Sequence, residues 1–311
     1  MNDFRRSTVR LIRHRARVSG VIMNAPLSPQ PSASVQALAP EVLQHWGLIA
    51  SPFASEPTLA QPLQPTEFYF RSSAHASAWG WLQNVVRRSA SLSVVTNAGG
   101  AGATTWVRQL MASSGLGDIA LEIAATSWQN QSLDQLTMPL TQTAGNFETP
   151  SCVRNLWIIQ ATGKNSSDLR QVPGRLALMA GWRAARSKRY RNLNIVLVMR
   201  KSEYAMTSLP VIGAGVIDRH HLSRTGNHEL RRCVNTALHH AGAIRPAFTV
   251  SAVSHLADAC GGSIRRLGTL VHTALVHGHL AGVRQITQSD LTRQFVCERE
   301  GATPRDQSRA A

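Results

Sequence analysis

Apolar residues recur along this chain with two different spacings. Over 74–88, Ala74, Ala78, Trp81, Leu82, Val85 and Val86 fall three and four apart, which puts them on one stripe of an amphipathic helix. From residue 92 onward the pattern changes to short, mostly apolar runs at 92–96, 119–123, 156–159, 195–199 and 215–220, with helical spacing near 104–113, 130–138, 167–188 and 202–208. Five buried strands alternating with helices predict a parallel sheet covered on both faces. After Leu222 the strand pattern stops. Helices are predicted at 227–241, 251–260, 264–280 and 288–297, punctuated by Gly242, the Gly261-Gly262 pair and Gly282. The expected fold is therefore α/β, a five-stranded parallel sheet with helices on both faces, followed by a small all-helical lid.

The ends read differently. Residues 1–20 hold six arginines against one aspartate, and 24–40 are rich in Pro, Ser, Ala and Gln, the composition of a basic arm and a linker. Met23 offers an alternative start to Met1. Order is expected from near Trp46, where Trp46-Gly47-Leu48 and Pro52-Phe53 supply aromatic anchors, followed by Phe68-Tyr69-Phe70. The expected division is an arm and linker over 1–41, an α/β domain over 42–224, a helical lid over 225–297 and a tail over 298–311.

Charge narrows the choice of partners. The 311 residues carry 33 Lys+Arg against 17 Asp+Glu, a formal +16, and only Lys164, Lys188 and Lys201 are lysines. Such a balance favours polyanions, and the stretch 183–201 concentrates Arg183, Arg186, Lys188, Arg189, Arg191, Arg200 and Lys201 with no acidic residue, a candidate nucleic-acid contact. No helix-turn-helix, RNA-recognition or zinc-finger signature accompanies it. Four scattered cysteines do not make a disulfide framework and suit a reducing cytoplasm. No apolar run reaches about 18 residues, so no transmembrane helix is expected. The histidines, including the pairs His220-His221 and His239-His240, lack the carboxylate or cysteine partners of a metal site.

The candidate chemistry lies just after the first strand. There Thr96-Asn97-Ala98-Gly99-Gly100-Ala101-Gly102-Ala103-Thr104-Thr105 leads directly into a helix. Strand, glycine-rich loop and helix N-terminus are the context in which backbone N–H groups cradle phosphates. Against G-x-x-x-x-G-K-[S/T], Asn97 takes the first glycine position, Gly102 fits the second, Ala103 replaces the lysine and Thr104 supplies the hydroxyl. A P-loop lysine neutralises charge on the β- and γ-phosphates, and alanine cannot.

Together with Trp46-Gly47-Leu48, Pro52-Phe53, Phe68-Tyr69-Phe70 and the tail Ala237-Leu238-His239-His240-Ala241-Gly242 and Gly261-Gly262-Ser263-Ile264-Arg265-Arg266-Leu267, this loop resembles the AAA+ ATPases of the general secretion pathway protein A type over roughly residues 42–296. Their loop reads T-G-E-x-G-T-G-K-T-T, matched at Thr96, Gly100, Gly102, Thr104 and Thr105. The resemblance implies ATP or ADP with Mg²⁺ as ligand, here at reduced affinity, contacted by Asn97, Gly100, Gly102, Ala103, Thr104 and Thr105. It implies a sensor 2 arginine at Arg265 and a finger or fifth-strand basic residue at Arg219. Its Walker B strand ends in D-E-A, where this chain has Gln160-Ala161-Thr162, and its sensor 1 segment corresponds to Leu197-Val198-Met199-Arg200-Lys201-Ser202-Glu203, which lacks the usual small polar residue. With the lysine and both carboxylates gone, no catalytic residue is assigned. The resemblance then implies a non-hydrolysing scaffold or regulator of secretion, pilus or mobile-element machinery, in the cytoplasm or held peripherally at the inner membrane by a protein partner, and able to form a homo-oligomer. An ATPase built from non-standard residues and a basic nucleic-acid-binding protein on a AAA+ fold are the alternatives.

Overall fold

The computed structural model describes residues 37–53, 59, 61–88, 92–113, 115–116, 119–128, 153–161, 170, 176, 193–207 and 218–293. Its elements are, in chain order, α1 (Pro40–Trp46), α2 (Ser73–Arg87), β1 (Leu92–Asn97), α3 (Ala103–Ala112), β2 (Gly115–Leu116), β3 (Ile119–Trp128), β4 (Val153–Ala161), β5 (Leu193–Arg200), α4 (Lys201–Ala205), β6 (Asp218–Leu222), α5 (Asn227–His240), α6 (Val250–Ala259) and α7 (Ile264–Leu280).

The sheet runs in the order β2-β3-β4-β5-β1-β6. Five of these strands are parallel, and β2 adds two residues antiparallel to the β3 edge. Strand residues alternate between faces. Val95, Leu156, Ile158, Val196 and Val198 pack with Leu82 and Val86 of α2 and Trp106 and Leu110 of α3. On the other face lie Val94, Trp157, Ile159, Ile195, Leu197 and Met199, with Trp128 and Leu176. Burial on both faces is why these strands read as continuous apolar runs. Register brings Asn97 opposite both Arg200 and Leu222, so the carboxyl ends of β1, β5 and β6 are level.

The lid core joins α5, α6 and α7 to the start of the chain. Leu38, Val42, Trp46 and Leu48 are buried with Leu230, Val234, Leu256, Val271 and Leu275, and the Trp46 indole N–H donates to the Leu275 carbonyl at 2.9 Å. Trp46 fits there because α7 carries Gly278, where a Cβ would lie 2.7 Å from the indole ring.

Several expectations shift in detail. Packed structure is already present ahead of Trp46, where α1 and the residues just before it bury Leu38 and Val42 in the lid core. The helix expected over 202–208 spans only Lys201–Ala205, β3 extends to Trp128, and the last strand is described from Asp218 to Leu222. The helices expected at 130–138 and 167–188 lie outside the described residues, apart from Arg170 and Leu176, which are both helical. So does most of the basic stretch at 183–201. No helix among the described residues is long and apolar enough to cross a membrane.

Candidate functional site

The glycine-rich loop leaves β1 at the carboxyl edge of the sheet, where ligands bind in open α/β sheets. Asn97 is held by its side chain, whose Nδ2 donates to the Met199 carbonyl of β5 at 2.9 Å. Thr96 is buried just before it, with Oγ1 3.0 Å from Nδ1 of His221 on β6. The Ala98 N–H donates to Leu222 O and the Ala101 N–H to Ala98 O. The chain then turns through Gly100 (φ +81°) and Gly102 (φ +82°), left-handed conformations that glycine adopts without penalty.

Gly102 caps α3, and the first helical bond runs from the Trp106 N–H to Gly102 O. The N–H groups of Gly100, Gly102, Ala103, Thr104 and Thr105 have no backbone acceptor among the described residues. Those donors lie at the positive end of α3, a place where backbone N–H groups and the helix dipole favour an anion. Ala103 is buried at the first helical position, while Thr104 and Thr105 are half-buried on the first turn.

The outward carbonyls of the loop are tethered. Ser263 and Ile264, at the start of α7, sit on it, with the Ile264 N–H donating to Gly100 O at 3.0 Å. From α2, the His75 ring lies against Gly102, and its Nε2 is 3.0 Å from Ala101 O while Nδ1 is 3.2 Å from Phe70 O. Sequence reasoning passed over His75. Its available signal was a polar residue placed three before Ala78 and seven before Leu82, on the buried stripe of α2. Burial pushes its pKa down, against the two carbonyls and the nearby Glu229 carboxylate, which favour the charged ring.

Beside the loop, β4 ends in Gln160 and Ala161. Gln160 Nε2 donates to Thr104 Oγ1 at 2.8 Å, and its buried Oε1 has no partner among the described residues. Either orientation of the amide occupies the Thr104 hydroxyl with a neutral group. A Mg²⁺ site on this fold needs that hydroxyl free and a carboxylate behind it. The residues present supply neither, so they do not fit the metal. Among the described residues there is no group of three or more His, Cys, Asp or Glu able to hold a metal ion.

Two arginines carry expectations from the sequence. Arg265 is exposed on the first turn of α7, one residue after the Ile264 contact with the loop. Arg219 is opposite Val94 in the register, three residues short of the strand end at Leu222, so it stands about 10 Å upstream of the loop at the usual strand rise. Its guanidinium lies over the Tyr204 ring, 5.4 Å from the centroid. The structure thus gathers Asn97, Gly100, Gly102, Ala103, Thr104, Thr105 and the α7 start carrying Arg265, and leaves Arg219 apart. In the segment expected to carry sensor 1, Leu197–Glu203, β5 ends at Arg200, whose N–H donates to Glu203 at the start of α4.

Sheet order, loop and helical lid define the AAA+ P-loop NTPase fold. In particular, the chain is similar to the Aeropyrum pernix ORC2 protein in its ADP form, with a TM-score of 0.53 and 16% identity over 76% of this chain and 70% of that one. The same protein in its ADPNP-ADP complexes gives a TM-score of 0.50 and 15% identity over 74% and 68%. The Thermotoga maritima RuvB Holliday junction branch migration motor gives 0.48 and 13% over 77% and 73%. No protein-family model and no curated protein sequence matches the chain.

Proposed function

We propose that this chain is a degenerate AAA+ protein of the general secretion pathway protein A type that does not turn over ATP. It acts through its surfaces as a scaffold or regulator of secretion, pilus or mobile-element machinery. The observation that carries this reading is the Gln160–Thr104 hydrogen bond. A Mg²⁺ on this fold would be held by a strand-end carboxylate and the loop-helix hydroxyl, whereas here a neutral side chain links the strand end to that hydroxyl directly. With Ala103 in the lysine position and Ala161 after Gln160, three electrostatic groups are missing, and losing one such preorganised group typically costs on the order of 100-fold or more in rate. The N–H groups of Gly100 and of 102–105, without backbone acceptors among the described residues, support a residual, metal-independent hold on the phosphates of ATP or ADP.

Titration calorimetry with ATP, with and without Mg²⁺, followed by a turnover assay, tests this. The expected result is weak or no binding, unaffected by Mg²⁺, with no turnover above background. Mg²⁺-dependent turnover at about 1 s⁻¹ or more, within the usual enzyme range, would establish instead an ATPase built from non-standard residues, for which Arg265 at the loop is the first residue to substitute.

A further inference from the structure

The lid is basic for a reason that the glycine loop does not account for. Residues 223–293 contain eight arginines and no lysine against three acidic residues. All three acids are engaged by neutral donors. Glu229 accepts from the Ser73 N–H and hydroxyl, Asp258 from the Asn227 amide, and Asp290 from the Thr287 N–H and hydroxyl.

Placement concentrates the charge. The Asn227–Asp258 bond puts the start of α5 beside the end of α6, and the Thr225 N–H donates to Gly262 O just before α7 begins. Arg224 reaches across the same junction, donating from one guanidinium nitrogen to Gly261 O. Arg231 and Arg232 follow within about 8 Å along α5 at the rise of a helix, and Arg266 stands on the first turn of α7. All four are exposed, and none is ion-paired among the described residues. The amino ends of α5 and α7 open at this same end of the lid, adding their positive dipoles.

The opposite end has another character. Ile244 and Leu280 lie at the carboxyl ends of α5 and α7, Val250 opens α6, and Ile49 packs on Gly242; these four are 74–95% exposed. A lipid-binding surface sets apolar side chains among its basic ones; here the exposed apolar residues lie at the far end, beside Arg245 and Arg284, and not among the arginines of the amino end. Guanidinium forks beside helix amino ends, without apolar anchors, match a run of phosphates.

We propose that the α5–α7 amino end of the lid is a nucleic-acid-binding surface that grips the phosphodiester backbone through Arg224, Arg231, Arg232 and Arg266, without reading bases. It is independent of whether the glycine loop binds a nucleotide. The test is fluorescence anisotropy of a labelled mixed-sequence duplex with the full chain across a salt series. Wild type is expected to bind at about 50 mM salt and to weaken steeply towards 200 mM. Reversal by Arg231→Glu/Arg232→Glu is expected to lower the slope of log affinity against log salt by about 2, at roughly 0.9 for each phosphate left without its arginine. Arg245→Glu/Arg284→Glu changes the charge equally at the far end and is expected to leave the slope nearly unchanged, which separates a site from general charge and from the basic arm. Should the reversal melt early, Arg231→Gln/Arg232→Gln carries the same expectation with half the charge change. Equal losses for the two ends, an unchanged slope in the 231/232 variants, or no duplex binding at 50 mM would each overturn the proposal. Retention on phosphatidylserine vesicles in place of duplex would assign the end to a lipid surface.

Discussion

Gly100 and Ser263 meet so closely that no side chain fits between them. A Cβ on Gly100 would lie 2.9 Å from Ser263 Cβ and closer still to its Oγ. The loop that should cradle phosphates is thus also the seat of the lid, and its glycines serve both tasks. Ser263 cannot simply rotate away, because its Oγ accepts from the Arg266 N–H and caps α7.

Substitution of Gly100 by alanine is therefore expected to cost stability without any ligand present. The left-handed backbone and the displaced cap together amount to about 2–3 kcal/mol, or roughly 5–10 °C in melting temperature for a chain of this size. Thermal melts give the total. The companion Gly100→Ala/Ser263→Gly should recover the steric part only. An unaffected Gly100→Ala melt would mean that the lid does not rest on the loop.

On the proposed reading, Ala103 and Gln160 are neutral side chains at two positions whose charges would serve one ligand. Restoring both, as Ala103→Lys/Gln160→Asp, frees Thr104 and returns a carboxylate behind it. The double variant is expected to bind ADP with Mg²⁺ at least tenfold more tightly than wild type, about 1.4 kcal/mol, and to lose that gain in EDTA. Each single variant should gain little, since one charge then lacks its counterpart. Calorimetry that shows no Mg²⁺ response in the double variant would place the defect elsewhere in the site.

The contrast between these two predictions shows what sequence alone could carry. The absence of a lysine at 103 and of carboxylates at 160 and 161 is a property of single positions beside a recognisable strand and loop, so it was legible. The same holds for the strands, whose burial on both faces leaves long apolar runs, and for α5 to α7 with their glycine stops. What was hidden depends on pairs distant in the chain. Trp46 finds Leu275, 229 residues away, which makes the α1 segment part of the lid core. His75 finds Ala101, and Ser263 finds Gly100. No periodicity encodes such partners, because each is set by how the sheet brings loop, α2 and lid to one edge.

Arg108 gives a second view of how the loop helix is fixed. It is buried on α3, yet its guanidinium grips Glu67 with two bonds of 2.7 and 3.0 Å, and its Nε donates to Gln61 O. Burial raises the Glu67 pKa, but the bonds from Arg108, the Gln64 N–H and the Arg108 charge together outweigh it and hold the carboxyl below its ordinary value. Glu67→Ala leaves a buried guanidinium short of its acceptor. A loss of about 1–3 kcal/mol is expected, below the figure for a fully buried pair because Glu67 is partly solvated. A urea melt within about 0.5 kcal/mol of wild type, the range of a neutral surface substitution, would count against the clasp.

Acidification should weaken the fold, and His75 should account for part of the loss. His75, His220 and His272 all have pKa values pushed below the ordinary 6.5, chiefly by burial. A histidine whose folded pKa is depressed binds fewer protons folded than unfolded, so its contribution is full above about 6.5 and is lost as pH falls through that value towards the folded one. The carboxylates with lowered values, Glu67 and Asp290, start from 4.5 and 3.8 and act at lower pH. The window from about pH 7.5 to about 5.5 therefore isolates the histidines. Wild type is expected to lose stability across it, and His75→Gln to lose less. His75 is the informative choice because its two ring nitrogens face two carbonyls, and a neutral ring can donate to only one of them. Melting temperatures at the two pH values for both proteins decide the matter: a wild type that gains stability on acidification, or a variant with the same slope, would show that His75 does not titrate against the loop.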